Sequence, residues 1–181
     1  MIKISGVTKI YPTGTPALRN LNLHIGAGDF VSIVGQSGTG KTTLVKMLIA
    51  EERPNKGTIE IGGWDITAIS SNDIPYLRRQ IGVVFQDFKL LPQRTVYENI
   101  AFALEVAGAS DEEIESDVPQ VLELVGLISQ SHHFPHELSG GEKQRVSIAR
   151  AIVNRPDVII ADQHIVHIGM VFIFMGITGS S

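Results

Sequence analysis

The run Gly35, Gln36, Ser37, Gly38, Thr39, Gly40, Lys41, Thr42 fits G-x-x-x-x-G-K-[ST], and Thr43 follows directly. Such a run can hold a polyphosphate. Phosphates must be wrapped by backbone N–H groups, and a Cβ at the bend would keep the backbone away from them. Lys41 would add a full positive charge at the terminal phosphates. The Thr42 hydroxyl is a hard oxygen donor suited to Mg²⁺. "VIIAD" ends in Asp162, and an acid at the tip of a buried strand can reach a magnesium ion beside Thr42 through water. "LSGGE", Leu138 to Glu142, is open to two readings. Ser139 and Glu142 have the spacing of a capping box, which makes it a plain helix start. Gly140 and Gly141 leave that helix start bare, which makes it an anion site.

These residues need elements to position them. "DFVSIVG" before the glycine-rich run is continuously apolar, as expected of a strand covered on both faces. A helix is expected from about Lys41 to Ala50, with Leu44, Val45 and Leu48 on one face. Alternation in Ile2 and Ile4, and in Leu21, Leu23 and Ile25, predicts half-buried strands. "GTIEIGGWDIT" reads as two extended pieces about a Gly62-Gly63 turn. "QIGVVFQD" and "RPDVIIAD" read as core strands. The stretch from Thr95 to Gly126 is helical in pattern, broken at "AGASDEE", where Ser110 can cap the second helix; Pro119 sits awkwardly inside it. Strands alternating with helices predict an α/β fold with a mainly parallel sheet, into which the helical block is inserted as a subdomain.

The chain of 181 residues is 43% hydrophobic and 19% charged, enough for a folded core and against disorder. Its net charge of −4 and the lack of a basic run exclude nucleic acid as the main partner. It has no cysteine, so disulfide and thiol chemistry are excluded. "MIKISGVTKIYP" has no signal-peptide core, and the apolar run from Ile165 to Ile177 falls short of the roughly 20 residues that span a bilayer.

The order phosphate loop, "VVFQD", "LSGGEKQR", "VIIAD" resembles the nucleotide-binding domain of ABC-type ATPases, from Met1 to about Asp162. The resemblance implies a P-loop NTPase fold with an N-terminal antiparallel β part and a helical subdomain at about 90–135. It implies ATP and Mg²⁺ as ligands. It implies that Tyr11 stacks on adenine, and that Gln86 touches the magnesium and senses a membrane partner. Ser139, Gly140 and Gly141, with Glu142, would grip the γ-phosphate bound by the opposite subunit of a head-to-tail homodimer. Longer stretches, among them "IPYLRRQIGVVFQDFKLLPQRTVYENIAFAL" and "FPHELSGGEKQRVSIARAIVNRPDVIIAD", are similar to the FtsE family of cell-division ATPases. That family works with the integral membrane protein FtsX, on the cytoplasmic face of the bacterial inner membrane. Relatives serving lipoprotein release or macrolide export share many of these features. The region of Phe88, Leu90 and Leu91 would dock on the membrane subunit; packing within the helical block is the other reading of these side chains.

The family pattern breaks directly after Asp162. Gln163 stands where the family has a glutamate that polarises the attacking water, and an amide cannot usefully take a proton. The family's distal histidine belongs at the end of a further strand, and His164 and His167 come too soon to replace it. Residues 163–181 are therefore expected to be a tail foreign to the fold, from a shifted reading frame or a truncated gene. The sheet is expected to lack a central strand, and "MVFIFMGI" to favour aggregation. Two functions follow: an ATPase subunit that drives a membrane complex, or a nucleotide-binding module without useful turnover. A soluble ABC protein acting on DNA or ribosomes is disfavoured by the charge.

Overall fold

The computed structural model describes residues 1–165 and 168–175. The chain divides into two compact units, Gly82–Pro156 and the remainder on either side of it.

In the first unit an antiparallel sheet has the order β2(Pro16–Ile25), β1(Ile2–Ile10), β4(Lys56–Ile61), β5(Trp64–Asp65). The alternation in the sequence is realised here. Ile2, Ile4, Ile25, Ile59 and Ile61 are buried on one face while their neighbours point outward. A register shift between Ile4 and Val7 re-aims the strand so that Val7 is also buried. The Gly62-Gly63 pair makes the turn between β4 and β5, both at positive φ.

The second sheet of this unit contains β3(Phe30–Gln36), β8(Ile168–Met175) and β7(Val158–Ile165) in that spatial order. β8 is antiparallel to both neighbours, so β3 and β7 run in the same direction on either side of it. The parallel relation expected of these two strands is present, with an antiparallel strand between them. The helix α1(Lys41–Leu48) packs on β2, β7 and β8, burying Leu44, Val45, Met47 and Leu48. A short helix α2(Ile74–Arg79) precedes β6(Ile81–Val84), where the boundary between the units falls.

Two expectations are corrected here. The sheet does not lack its central strand: β7 continues through Gln163 and His164 to Ile165, and β8 lies between β3 and β7. Residues 170–175 of the run of β-formers that suggested aggregation belong to that strand, and Val171 and Ile173 are fully buried in it; the rest of the run lies outside the described residues. His167 lies outside the described residues. Nor is β3 covered on both faces. Phe30 and Val34 are 65% and 61% exposed, because α1 packs on the sheet's other side. An apolar run reports β propensity but not whether a second layer covers it.

The second unit is helical: α3(Val96–Ala107), α4(Asp111–Leu124), two short 3-10 turns, and α5(Gly140–Ile152). Its core gathers Ile100, Leu104, Val118, Leu122, Leu127, Val146 and Ala149. Thr95 with Glu98, Ser110 with Glu113, and Ser139 with Glu142 close three capping boxes at the starts of α3, α4 and α5. Pro119 is accommodated inside α4. The unit is wider than the helical block legible in the sequence, since α5 is part of it.

Candidate nucleotide site

The phosphate-loop residues connect the end of β3 to the start of α1. Gly40 caps the helix at φ 90° and has no side chain with which to satisfy the first-turn amides. Only glycine suits this position. A Cβ would be strained at that φ and would stand inside the van der Waals radius of the Ala17 carbonyl oxygen. Gly38 also has positive φ, and the space around it is open. The amides at the start of α1 therefore keep the positive end of the helix dipole unmasked by any side chain.

Lys41 curls back over this bend and is only 9% exposed. Its ammonium donates to Gly35 O at 2.8 Å, Gln36 O at 2.6 Å and Thr39 Oγ1 at 3.0 Å. Thr39 Oγ1 in turn donates to Gln36 O at 2.9 Å. The three hydrogens of the ammonium are thus aimed by the loop, and the charge is held at the bend rather than swinging in solvent. Thr42 Oγ1 lies 3.5 Å from Asp162 Oδ2, so the two hard oxygens expected at a metal converge within this unit. The Gln163 backbone follows in β7, registered opposite Met170.

Tyr11 reaches the same helix. Its hydroxyl lies 3.2 Å from Thr43 Oγ1 and donates to Glu52 Oε1 at 3.0 Å. Lys9 closes the group, 3.2 Å from Glu52 Oε2 and 5.5 Å from the centre of the Tyr11 ring. Burial pushes the Glu52 carboxyl up. The Tyr11 hydroxyl and the Lys9 and Lys46 ammoniums together outweigh burial and hold the group below its ordinary range. Lys9 and Glu52 carry no motif, and sequence reasoning does not find them. Their meeting depends on how β1 and the segment after α1 are brought together.

The other expected site residues lie in the helical unit. Gln86 is exposed in a turn just after β6. Ser139 Oγ donates to Glu142 Oε2 at 2.7 Å and accepts from the Glu142 amide at 3.3 Å. The Ser139 hydroxyl and amide hold the Glu142 carboxyl below the usual carboxylate range. Capping alone does not single out α5, because α3 and α4 have the same device. The glycines do. A Cβ at Gly140 would meet no atom within 4 Å, and one at Gly141 would meet only the end of the Arg145 side chain at 3.9 Å. Neither has a positive φ. Glycine in a helix costs about 1 kcal/mol relative to alanine. The packing of this chain gives no reason for two of them, whereas close approach of another molecule to the backbone would.

Residues 18–165 match the family model described as ABC transporter. The chain belongs to the ABC transporter family. Its resemblances within the family are to FtsE-like ABC ATPase domains. It is 54% identical over 163 residues to the cell division ATP-binding protein FtsE of Bacillus subtilis, covering 90% of this chain and 72% of that one. The FtsE proteins of Mycobacterium tuberculosis and Escherichia coli are 48% and 47% identical, with 90% of this chain and 71% and 73% of theirs covered. Among solved structures, the dimeric ATP-binding cassette MJ0796 in a post-hydrolysis state bound to ADP and Pi superposes with a TM-score of 0.82. It is 38% identical, over 90% of this chain and 74% of that cassette. The protein cbiO1 of Clostridium perfringens, part of the ABC transporter complex cbiONQ, gives 0.78 at 32% identity, over 89% of this chain and 64% of that one. The ABC domain described here therefore has the P-loop NTPase fold.

Proposed function

We propose that this ABC domain is the ATP-binding subunit of a membrane complex acting in cell division, with an FtsX-like integral membrane partner. The observation that carries the reading is the glycine-headed start of α1, with Lys41 held over the bend and Thr42 facing Asp162. The names of the FtsE relatives support the cellular role.

In this reading the loop from Gly35 to Thr43 wraps the triphosphate with backbone amides. Lys41 exchanges neutral carbonyl acceptors for phosphate oxygens, and charge-assisted bonds are the stronger. Tyr11 lies against the adenine. The donors fit Mg²⁺, which takes few protein ligands, prefers hard oxygen and keeps its waters. Thr42 and Asp162 would hold it, and its charge would neutralise the phosphate oxygens; a magnesium role for Gln86 is implied by the family resemblance alone. Ser139, Gly140, Gly141 and Glu142 complete the site of a second copy in a head-to-tail dimer, where the γ-phosphate can approach the bare backbone of α5. Among the described residues no helix is long and apolar enough to cross a membrane. The domain binds peripherally, on the cytoplasmic face, through its partner.

Turnover is impaired in this copy. Gln163 is a neutral amide where the reaction needs a group that accepts a proton from water. The match to the family model ends at residue 165, and the backbone from 168 to 175 nonetheless joins the sheet.

Calorimetry with Mg·ATP, beside a phosphate-release assay, tests the reading. The folded chain binds Mg·ATP and releases phosphate slowly, and Lys41→Ala abolishes both signals. No heat of binding in folded protein overturns it.

A further inference from the structure

Directly after Gln86 and Asp87 come two consecutive non-glycine residues in the left-handed region, Phe88 at φ 57° and Lys89 at φ 48°. Side chains disfavour this conformation, and it persists only where the surroundings over-determine it. Local bonds begin the turn: Phe88 N donates to Phe85 O at 3.1 Å, and the Lys89 ammonium pairs with Asp87 at 2.7 Å. The clamp comes from far along the chain. Arg150 Nη2 donates to Phe88 O at 2.7 Å, and Arg150 Nη1 donates to Lys89 O at 2.6 Å. The guanidinium is half-buried, and its two short bonds compensate its lost hydration. A few residues on, fully buried Asn99 donates to the carbonyls of Leu91, Arg94 and Thr95 and accepts from the Leu91 amide. The stretch from 88 to 95 hangs between these two side chains.

Arg150 lies in the last turn of α5, the helix that opens at Ser139, Gly140 and Gly141. We infer that Arg150 is a positioning residue: by bonding the Phe88 and Lys89 carbonyls it ties the Gln86 turn to α5, so that the two move as one body. The planar fork matters here. Its two N–H groups meet two successive carbonyls at once, a geometry that an ammonium on a flexible stem does not reproduce. The clamp rests on geometry alone. Its use in coupling the two nucleotide contacts rests on the function proposed above.

The absence of cysteine from the chain makes Gln86→Cys a unique attachment point for a nitroxide. Arg150→Met keeps the packed stem and removes the fork. In the full chain, Arg150→Met is expected to sharpen the nitroxide spectrum at position 86, with a rotational correlation time at least about twofold shorter. Arg150→Lys is expected not to restore it. Mg·ATP affinity, measured with the native Gln86 in place, stays within about twofold of the parent. Arg150→Met also lowers Tm, and adding Phe88→Gly with Lys89→Gly recovers part of that loss, since glycine accepts the left-handed region freely. An unchanged spectrum in Arg150→Met overturns the inference. So does a Tm loss that the two glycines leave untouched. If Arg150→Met is insoluble, the glycine pair must return it to solution, and failure to do so counts equally against the clamp. A parent protein that binds no Mg·ATP overturns the nucleotide reading instead, whatever the nitroxide reports.

Discussion

Thr42 and Asp162 stand 120 positions apart in the chain and 3.5 Å apart in space. They meet although β3, which leads into the helix of Thr42, and β7, which carries Asp162, are not neighbours. β8 lies between β3 and β7, with Val171 registered opposite Ile33 on one side and Asp162 on the other. β8, which lies beyond the family match, thus sets the register between β7, which carries Asp162, and β3, which leads through the phosphate loop to Thr42 at the start of α1.

If these oxygens hold the ion, Asp162→Asn weakens the magnesium-dependent part of ATP binding by about tenfold or more, while binding without magnesium changes little. Thr42→Val acts in the same direction. Paired calorimetric titrations with Mg·ATP and with ATP plus chelator measure the difference. Equal losses in both titrations would remove magnesium from this account.

Restoring a carboxylate next to Asp162 should restore chemistry. A general base contributes roughly 10²- to 10⁴-fold, so Gln163→Glu is expected to raise phosphate release by at least about tenfold. Lys41→Ala added to that variant should abolish the gain. Steady-state phosphate release shows whether position 163 is where turnover is lost.

The Tyr11–Glu52 contact makes stability depend on pH. Glu52 titrates below its ordinary 4.5 in the folded chain. Its contribution is therefore fully present above the unfolded value and is lost as pH falls through the folded one. Tyr11→Phe removes a donor to this carboxylate and should cost about 1 kcal/mol at neutral pH. Urea unfolding of the two proteins at descending pH should show the gap narrowing once Glu52 is protonated. A gap that stays constant on acidification would place the tyrosine's contribution elsewhere.

Ile173 is fully buried in β8, registered between Val31 and Ile160. Ile173→Asp puts an unpaired charge in that layer and should cost about 4 kcal/mol or more, enough to unfold a marginal domain. Urea unfolding, or the soluble fraction on expression, reads the effect. A stability like the parent's would mean that β8 is not part of the folded core.

Much of this molecule was legible because its signals are local. The glycine-rich bend and the caps at Ser110 and Ser139 are interactions within a few residues, so residue type and spacing carry them. The helix after Lys41 could be read for the same reason. Ser139 and Glu142 show where that kind of reading stops. Their spacing predicts the cap, but the unneeded glycines between them become informative only when the space around each is known.

The residues alone determined a phosphate loop, a strand carrying Asp162 and the helix starts, because each is a short-range preference of the backbone; that the strand runs on past Asp162 to Ile165 they did not show. Tertiary structure decided the rest. It brought Lys9 and Glu52 to Tyr11, set Arg150 on the Phe88 and Lys89 carbonyls, left one face of β3 open, and slotted the apolar segment from Ile168 to Met175 between β3 and β7. The physical reason is that burial and strand pairing are properties of what lies alongside a residue. Propensity can say that a segment will extend, but the neighbour that takes up its hydrogen bonds is chosen only when distant parts of the chain are brought together.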